Sequence, residues 1–244
     1  MSTTFARLLL EHAAQRPEAP ALREKVYGIW QTTTWSALAV QVRELAHGLA
    51  QAGVSRGDHI IVVGDNRPRL YATMLASQAL GAVPVPLYQD AASPEYVFPI
   101  NNGDVAYAVV EDQEQVDKLL EIREQCPQLA RIWFDDPRGL RKYSEPGLQS
   151  LDDLIAAGQA HQKSHAGFFD AEVQRGKAED DAAMFFTSGT TGNPKGVVHT
   201  HASLIDRARA GAKFDHLTAA EEVLAYLPPA WIGQNCFSYA PSLA

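Results

Sequence analysis

Between Trp35 and Phe134 one unit recurs: an apolar stripe at helical spacing, a glycine or proline stop, then a short run of β-branched residues. That alternation restricts the fold more than any other feature, because parallel strands require a crossover connection, usually a helix, between them. Leu38, Val42, Leu45 and Leu49 share one face of a helix opening at Trp35, and Gly53 stands where it should stop. Residues 58–63 read as a buried strand. A second helix follows Pro68, with Leu70, Met74, Leu75 and Ala79 on one side and Gly81 as terminator. Residues 83–86 (VPVP) are extended, and their prolines confine any strand there to an edge or an irregular stretch.

The pattern continues with Ser93-Pro94 as a cap and first-turn proline of a helix carrying Tyr96, Val97 and Ile100. Residues 104–110 form the next strand. Residues 112–125 give an acidic-fronted helix burying Val116, Leu119 and Leu120, ended by Pro127, and residues 131–134 a further strand. The expected class is α/β, an open, mostly parallel sheet with flanking helices. Residues 135–147 read as a loop, and Ser150 to Asp153 as a capping box opening a short helix that closes at Gly158. Residues 159–180 read as a polar surface helix or connection, and residues 223–227 as a strand.

Composition excludes several functions. A net charge of −8 and the lack of a Lys/Arg cluster argue against a nucleic-acid surface. Cys126 and Cys236 have no CxxC spacing and suggest buried apolar side chains rather than a disulfide or metal site. His199 and His201, two residues apart on a strand or its exit, are not read as ligands. The 46% hydrophobic residues contain no run of about 18 that would span a membrane, and the early leucines are too few for a signal peptide. The expected setting is cytoplasmic.

Chemistry concentrates at residues 184–198. The apolar Met184-Phe185-Phe186 delivers Thr187-Ser188-Gly189-Thr190-Thr191, then a Gly192-Asn193-Pro194 turn, Lys195 and Gly196, and a second apolar pair. Physically this is a strand, a phosphate-sized loop and a strand. Glycines let backbone N–H groups crowd an anion, hydroxyls add donors, and Lys195 adds a charge at the exit. Each charge-assisted hydrogen bond contributes roughly 1.5–3 kcal/mol. A Walker loop requires Gly-Lys-Ser/Thr after four residues, and Pro194-Lys195-Gly196 fails that template. A solvated turn without ligand is the plain alternative.

Thr187 to Gly196 resembles the AMP-binding loop of the adenylate-forming superfamily, which includes acyl-CoA synthetases, luciferases and peptide-synthetase adenylation domains. The resemblance extends to Thr34-Trp35-Ser36-Ala37-Leu38, to Gly53-Val54-Ser55-Arg56-Gly57-Asp58 with Asn66, and to Leu80-Gly81-Ala82-Val83-Pro84-Val85-Pro86-Leu87. It implies activation of a fatty or aryl acid with ATP as an acyl-adenylate, then transfer to CoA. By resemblance, Thr187, Ser188, Gly189, Thr190, Thr191, Gly192 and Lys195 would embrace the phosphates. Lys195 would be the catalytic charge, and Thr190 would contact Mg²⁺.

Pro228-Pro229-Ala230-Trp231-Ile232-Gly233-Gln234 is similar to the family segment lining the acyl-adenylate pocket, where many members carry Leu at the Pro229 position and His at the Trp231 position. Trp231 is read either as a substrate contact or as an ordinary core or interface residue. The chain resembles only the N-terminal part of the adenylation domain: residues 1–180 as an α/β region and 181–244 as a phosphate-loop region. Residues 237–244 look like a helix cut midway, and the motifs for adenine, ribose and CoA are expected beyond Ala244. A fragment unable to sustain the reaction alone is therefore the expectation. The alternatives are a non-catalytic nucleotide-binding or partner-associating product, and a phosphotransferase with an atypical loop. Peripheral membrane association is compatible with a fatty-acid ligase, though no sequence feature requires it.

Overall fold

The computed structural model describes residues 3–187 and 194–244. Helix α1 (Phe5–Gln15) opens on Thr4, whose hydroxyl accepts from the Arg7 N–H. A hairpin follows, β1 (Pro20–Val26) and β2 (Ile29–Thr34), which the sequence reading does not contain. It turns through Tyr27 and Gly28, both at positive φ (47° and 82°), where Asn-Gly or Asp-Gly would have marked it. Helix α2 (Trp35–Gln51) buries Leu38, Val42, Leu45 and Leu49 as its stripe requires, each contributing about 1.5–3 kcal/mol.

The centre is built from β3 (His59–Val63), α3 (Pro68–Leu80), β4 (Val83–Leu87), α4 (Ser93–Asn102), β5 (Tyr107–Val110), α5 (Gln113–Glu121), β6 (Arg131–Phe134) and β7 (Leu148–Ser150). The five strands pair in parallel in the order β4-β3-β5-β6-β7. Strand alternation divides the core. Ile60, Val62, Val109 and Trp133 pack toward α2 and α3, whereas Ile61, Val63, Ala108, Val110 and Ile132 pack toward α4 and α5. Helix α3 ends on Gly81 in the left-handed conformation (φ 75°), as its position after the stripe predicts. Helix α4 is capped one residue earlier than expected, at Ala92, and Glu95 accepts from the Ala92 N–H at 2.7 Å. Ser93 is already helical and donates to Glu121 instead.

Two further differences have clear causes. Helix α6 (Leu151–Ser164) opens on the expected Ser150 capping box but does not close at Gly158. Gly158 faces α2, where an added Cβ would lie 1.9 Å from the Glu44 carbonyl oxygen. Gly48 of α2 is matched in the same way to the Leu154 carbonyl, at 2.3 Å. The glycine serves close helix packing, not termination. The segment 159–180 then divides between α6 and α7 (Phe168–Arg175).

The chain continues through β8 (Asp181–Thr187), β9 (Lys195–Thr200) and α8 (His201–Phe214), with β8 and β9 antiparallel. Strand β8 lies beside β4 without joining its ladder. The Val83 N–H donates to the Asp58 carbonyl on the β3 side. By alternation Pro84 and Pro86, which have no N–H, therefore face β8 and cannot donate to it. The expected edge strand is thus real but buried. No strand forms at residues 223–227; the segment has no regular secondary structure. Helical turns at Ile232–Gln234, Asn235–Tyr239 (wound as a π-turn) and Ala240–Leu243 end the chain. Among the described residues no helix is long and apolar enough to cross a membrane.

Candidate functional site

The β8–β9 hairpin carries the motif. Ala182, Ala183, Met184 and Phe185 are buried and fix β8 in the core, with Phe186 edge-on to Phe98. The Ala182 carbonyl accepts from Gln78 Nε2 at 2.8 Å, close to where β4 begins. Thr187, five residues on, is roughly 17 Å further along and emerges at the carboxyl edge of the parallel sheet. Ligands of open α/β sheets bind outside this edge. Thr187 pairs in register with Lys195, and both are exposed. The hairpin thus presents one hydroxyl and one ammonium at the mouth of the loop between them. Ser188, Gly189, Thr190, Thr191 and Gly192, expected to bind phosphate, lie outside the described residues, as does the proposed metal contact of Thr190.

Residues 225–231 occupy the same edge. Asn66, just beyond β3, donates from Nδ2 to the carbonyls of Ala225 (3.2 Å) and Leu227 (3.0 Å). Tyr71 donates to Asn66 Oδ1 at 2.5 Å, and Gln234 Nε2 donates to the Tyr71 hydroxyl at 3.0 Å. Gln234 Oε1 accepts from the Leu227 N–H at 3.2 Å, so the bonds close a ring. Burial pushes the Tyr71 phenol up to about 12, opposed by the bond from Gln234, so the ring stays protonated at neutral pH. This explains the missing strand: a side-chain amide satisfies two alternate carbonyls that a neighbouring strand would otherwise bond. Leu224 and Tyr226 consequently point outward, 74% and 72% exposed. Trp231 is 42% exposed, which excludes a core role for it. Asn66 and Gln234 entered the sequence reading only as motif letters, and Tyr71 and Asn235 not at all. Buried polar residues leave no periodic signal.

Charged groups crowd the rest of this edge. Arg67 Nε donates to Glu111 Oε1 at 2.6 Å, which raises the arginine further above its ordinary value. Arg69 bridges Asp135 at 2.8 Å and Asp152 at 2.6 Å. Burial pushes Asp135 up to about 6 despite Arg69. These carboxylates are consumed by arginines, and among the described residues no group of three or more His, Cys, Asp or Glu forms a metal site. His199 packs against Phe185, whereas buried His201 accepts from the Phe5 N–H, so the two are not a ligand pair.

Residues 9–244 match the model of the AMP-binding enzyme family. The chain belongs to that family. It is 26% identical over 238 residues to long-chain-fatty-acid–CoA ligase FadD15 of Mycobacterium bovis, covering 96% of this chain and 38% of the relative. It is also 26% identical to long-chain-fatty-acid–CoA ligase ACSBG2 of Xenopus laevis, covering 92% of this chain and 30% of the relative. The AMP-binding fold extends to the solved acetoacetyl-CoA synthetase from Streptomyces lividans. There the TM-score is 0.81 at 20% identity, over 99% of this chain and 37% of that one. The chain thus spans between 30% and 38% of the length of these relatives.

Proposed function

We propose that this chain is the phosphate-gripping part of an enzyme that activates a fatty or aryl carboxylic acid with ATP and passes the acyl group to CoA. A carboxylate oxygen attacks the α-phosphorus of ATP as the bond to pyrophosphate breaks, giving an acyl-adenylate. The CoA thiol then displaces AMP. A carboxylate is a poor electrophile without this step, and the enzyme's task is to align two anions and offset their repulsion. The observation that carries the reading is the in-register pairing of Thr187 with Lys195 at the carboxyl edge of the sheet. Lys195 supplies a positive charge to the β- and γ-phosphates, and Thr187 a hydroxyl donor. Thr190 and the neighbouring loop residues complete the grip in this reading. Mg²⁺ bound with ATP offsets phosphate charge; no described residue is assigned to it.

Trp231 borders the acid. A half-exposed aromatic ring on the same edge of the sheet as the Thr187–Lys195 pair suits a substrate with a charged head and an apolar body. The relatives' printed names point to long-chain fatty acids, and this chain's own contribution to that choice is the Trp231 turn. A second reading is that the 244 residues bind nucleotide without sustaining turnover; the 38% span relative to FadD15 favours it.

Calorimetry with ATP tests the common element. ATP binding that weakens about tenfold (about 1.4 kcal/mol) in Lys195→Ala is expected. Equal ATP affinity in both proteins would contradict the assignment. Pyrophosphate exchange with a panel of acids then separates catalysis from binding alone.

A further inference from the structure

The 225–231 segment is held with more polar bonds than an ordinary surface connection requires. Besides the Asn66–Tyr71–Gln234 ring, Asn235 Nδ2 donates to the carbonyls of Pro229 (3.0 Å) and Trp231 (3.3 Å). The Trp231 N–H returns to the Pro228 carbonyl at 2.9 Å, closing a turn. Gln234 and Asn235 are both 1% exposed, so these amides are committed to the segment rather than to solvent. The Trp231 ring lies across Gly233, where a Cβ would fall 2.2 Å from it. An exposed tryptophan is therefore fixed in direction by two prolines, a turn, a glycine platform and three amides. Such rigidity costs buried polar groups and adds only Pro229 and Ala230 to the buried residues, since Trp231, Leu224 and Tyr226 all remain exposed.

We infer that Asn66 is a positioning residue for the acid side of the site, setting the Trp231 turn through the carbonyls of Ala225 and Leu227. The inference rests on the proposed acid-activating function. Asn66 follows β3 directly, and β3 lies within the sheet, between β4 and β5. The sheet therefore transmits its own rigidity to a segment that has no strand partner. The ring makes no hydrogen bond of its own to the β8–β9 hairpin; the link runs through Tyr239, which stacks on Tyr71 and donates to Gln78, the donor to the Ala182 carbonyl at the end of β8 away from Lys195.

Asn66→Asp is the discriminating variant. It keeps the acceptor for Tyr71 but loses both donors, without leaving a cavity. Asn66 is only partly buried, so the fold should tolerate the change. Tyr71→Phe, which breaks the ring elsewhere, is the second variant. Hydrogen exchange at the Leu227 amide should rise at least tenfold in Asn66→Asp and severalfold in Tyr71→Phe. Affinity for an acyl-sulfamoyl-adenosine should fall about tenfold, while ATP affinity stays within twofold. An unchanged Leu227 exchange rate overturns the anchor. Equal losses for ATP and the acyl probe, or wild-type protein that binds ATP but ignores the acyl group, overturns the acid-side role. Wild-type protein that binds no ATP removes the proposed function itself, and the acid-side role with it. The Leu227 exchange rate still decides the anchor separately.

Discussion

The five-stranded sheet and the 223–231 segment are organised by different forces. In the sheet, alternate residues of β3 and β5 bury toward opposite helical layers, and removing any one hydrogen bond leaves the apolar packing intact. In the segment, Val223, Leu224 and Tyr226 remain exposed, and the backbone is fixed by Asn66, Gln234 and Asn235. The lesson is that a scaffold can be specified by pattern, whereas a site rim is specified by individual side chains. Substitutions should therefore separate into those that lower stability alone and those that lower binding alone.

The largest effect should come from Gly158→Ala. A methyl 1.9 Å from the Glu44 carbonyl must push α6 away from α2, costing about 3 kcal/mol in urea unfolding. If the variant matched wild type, close helix packing would not be what fixes that layer.

Acid pH should act on the scaffold through two histidines. Burial, reinforced by His161, Arg43 and His165 and opposed by Asp170, lowers His47 to about 4. Burial likewise lowers His201 to about 4, with Arg56 and Arg7 adding to it and Asp180 opposing. The unfolded chain, titrating near 6.5, takes up these protons first. Stability is full above pH 6.5 and drains as the pH falls toward 4, by about 2 kcal/mol per histidine at pH 5. Asp135 runs the other way. Its raised value means the folded state binds the proton more tightly, returning about 1 kcal/mol over the same interval. A net loss of about 3 kcal/mol between pH 7 and pH 5 is expected, and Asp135→Asn should deepen it. A flat profile would contradict the burial of these rings.

Smaller still, and confined to the rim, Lys195→Ala should weaken ATP about tenfold with less than 0.5 kcal/mol of stability change, because the side chain is exposed. Trp231→Ala should weaken an acyl-adenylate mimic severalfold and leave unfolding unchanged. A large loss of stability in either variant would erase the distinction between scaffold and rim.

That distinction also governs what could be read from sequence. The stripe of α2, the strands β3 (His59–Val63) and β6 (Arg131–Phe134) and the Gly81 stop were legible because burial repeats with the period of the element. The β1–β2 hairpin was not, since its faces are largely exposed and its turn is Tyr-Gly. Gly158 was misread because a packing glycine and a terminating glycine look alike in one dimension. Residues 223–227 read like a strand in sequence, but Asn66 rather than a neighbouring strand bonds the Ala225 and Leu227 carbonyls. At the candidate site, the pair of strands that sets Thr187 opposite Lys195 was legible from the motif, and the Asn66–Tyr71–Gln234 ring was not, because it joins residues 163 positions apart.

The central claim is that the Thr187–Lys195 end of the β8–β9 hairpin holds the polyphosphate. Paramagnetic broadening of amide signals by Mn²⁺–ATP measures this directly. The account predicts that the amides of Thr187, Lys195 and Gly196 broaden at low nucleotide occupancy, while those of Ala182 and Gln149 stay sharp. Broadening centred elsewhere, with Thr187 and Lys195 unaffected, would contradict it.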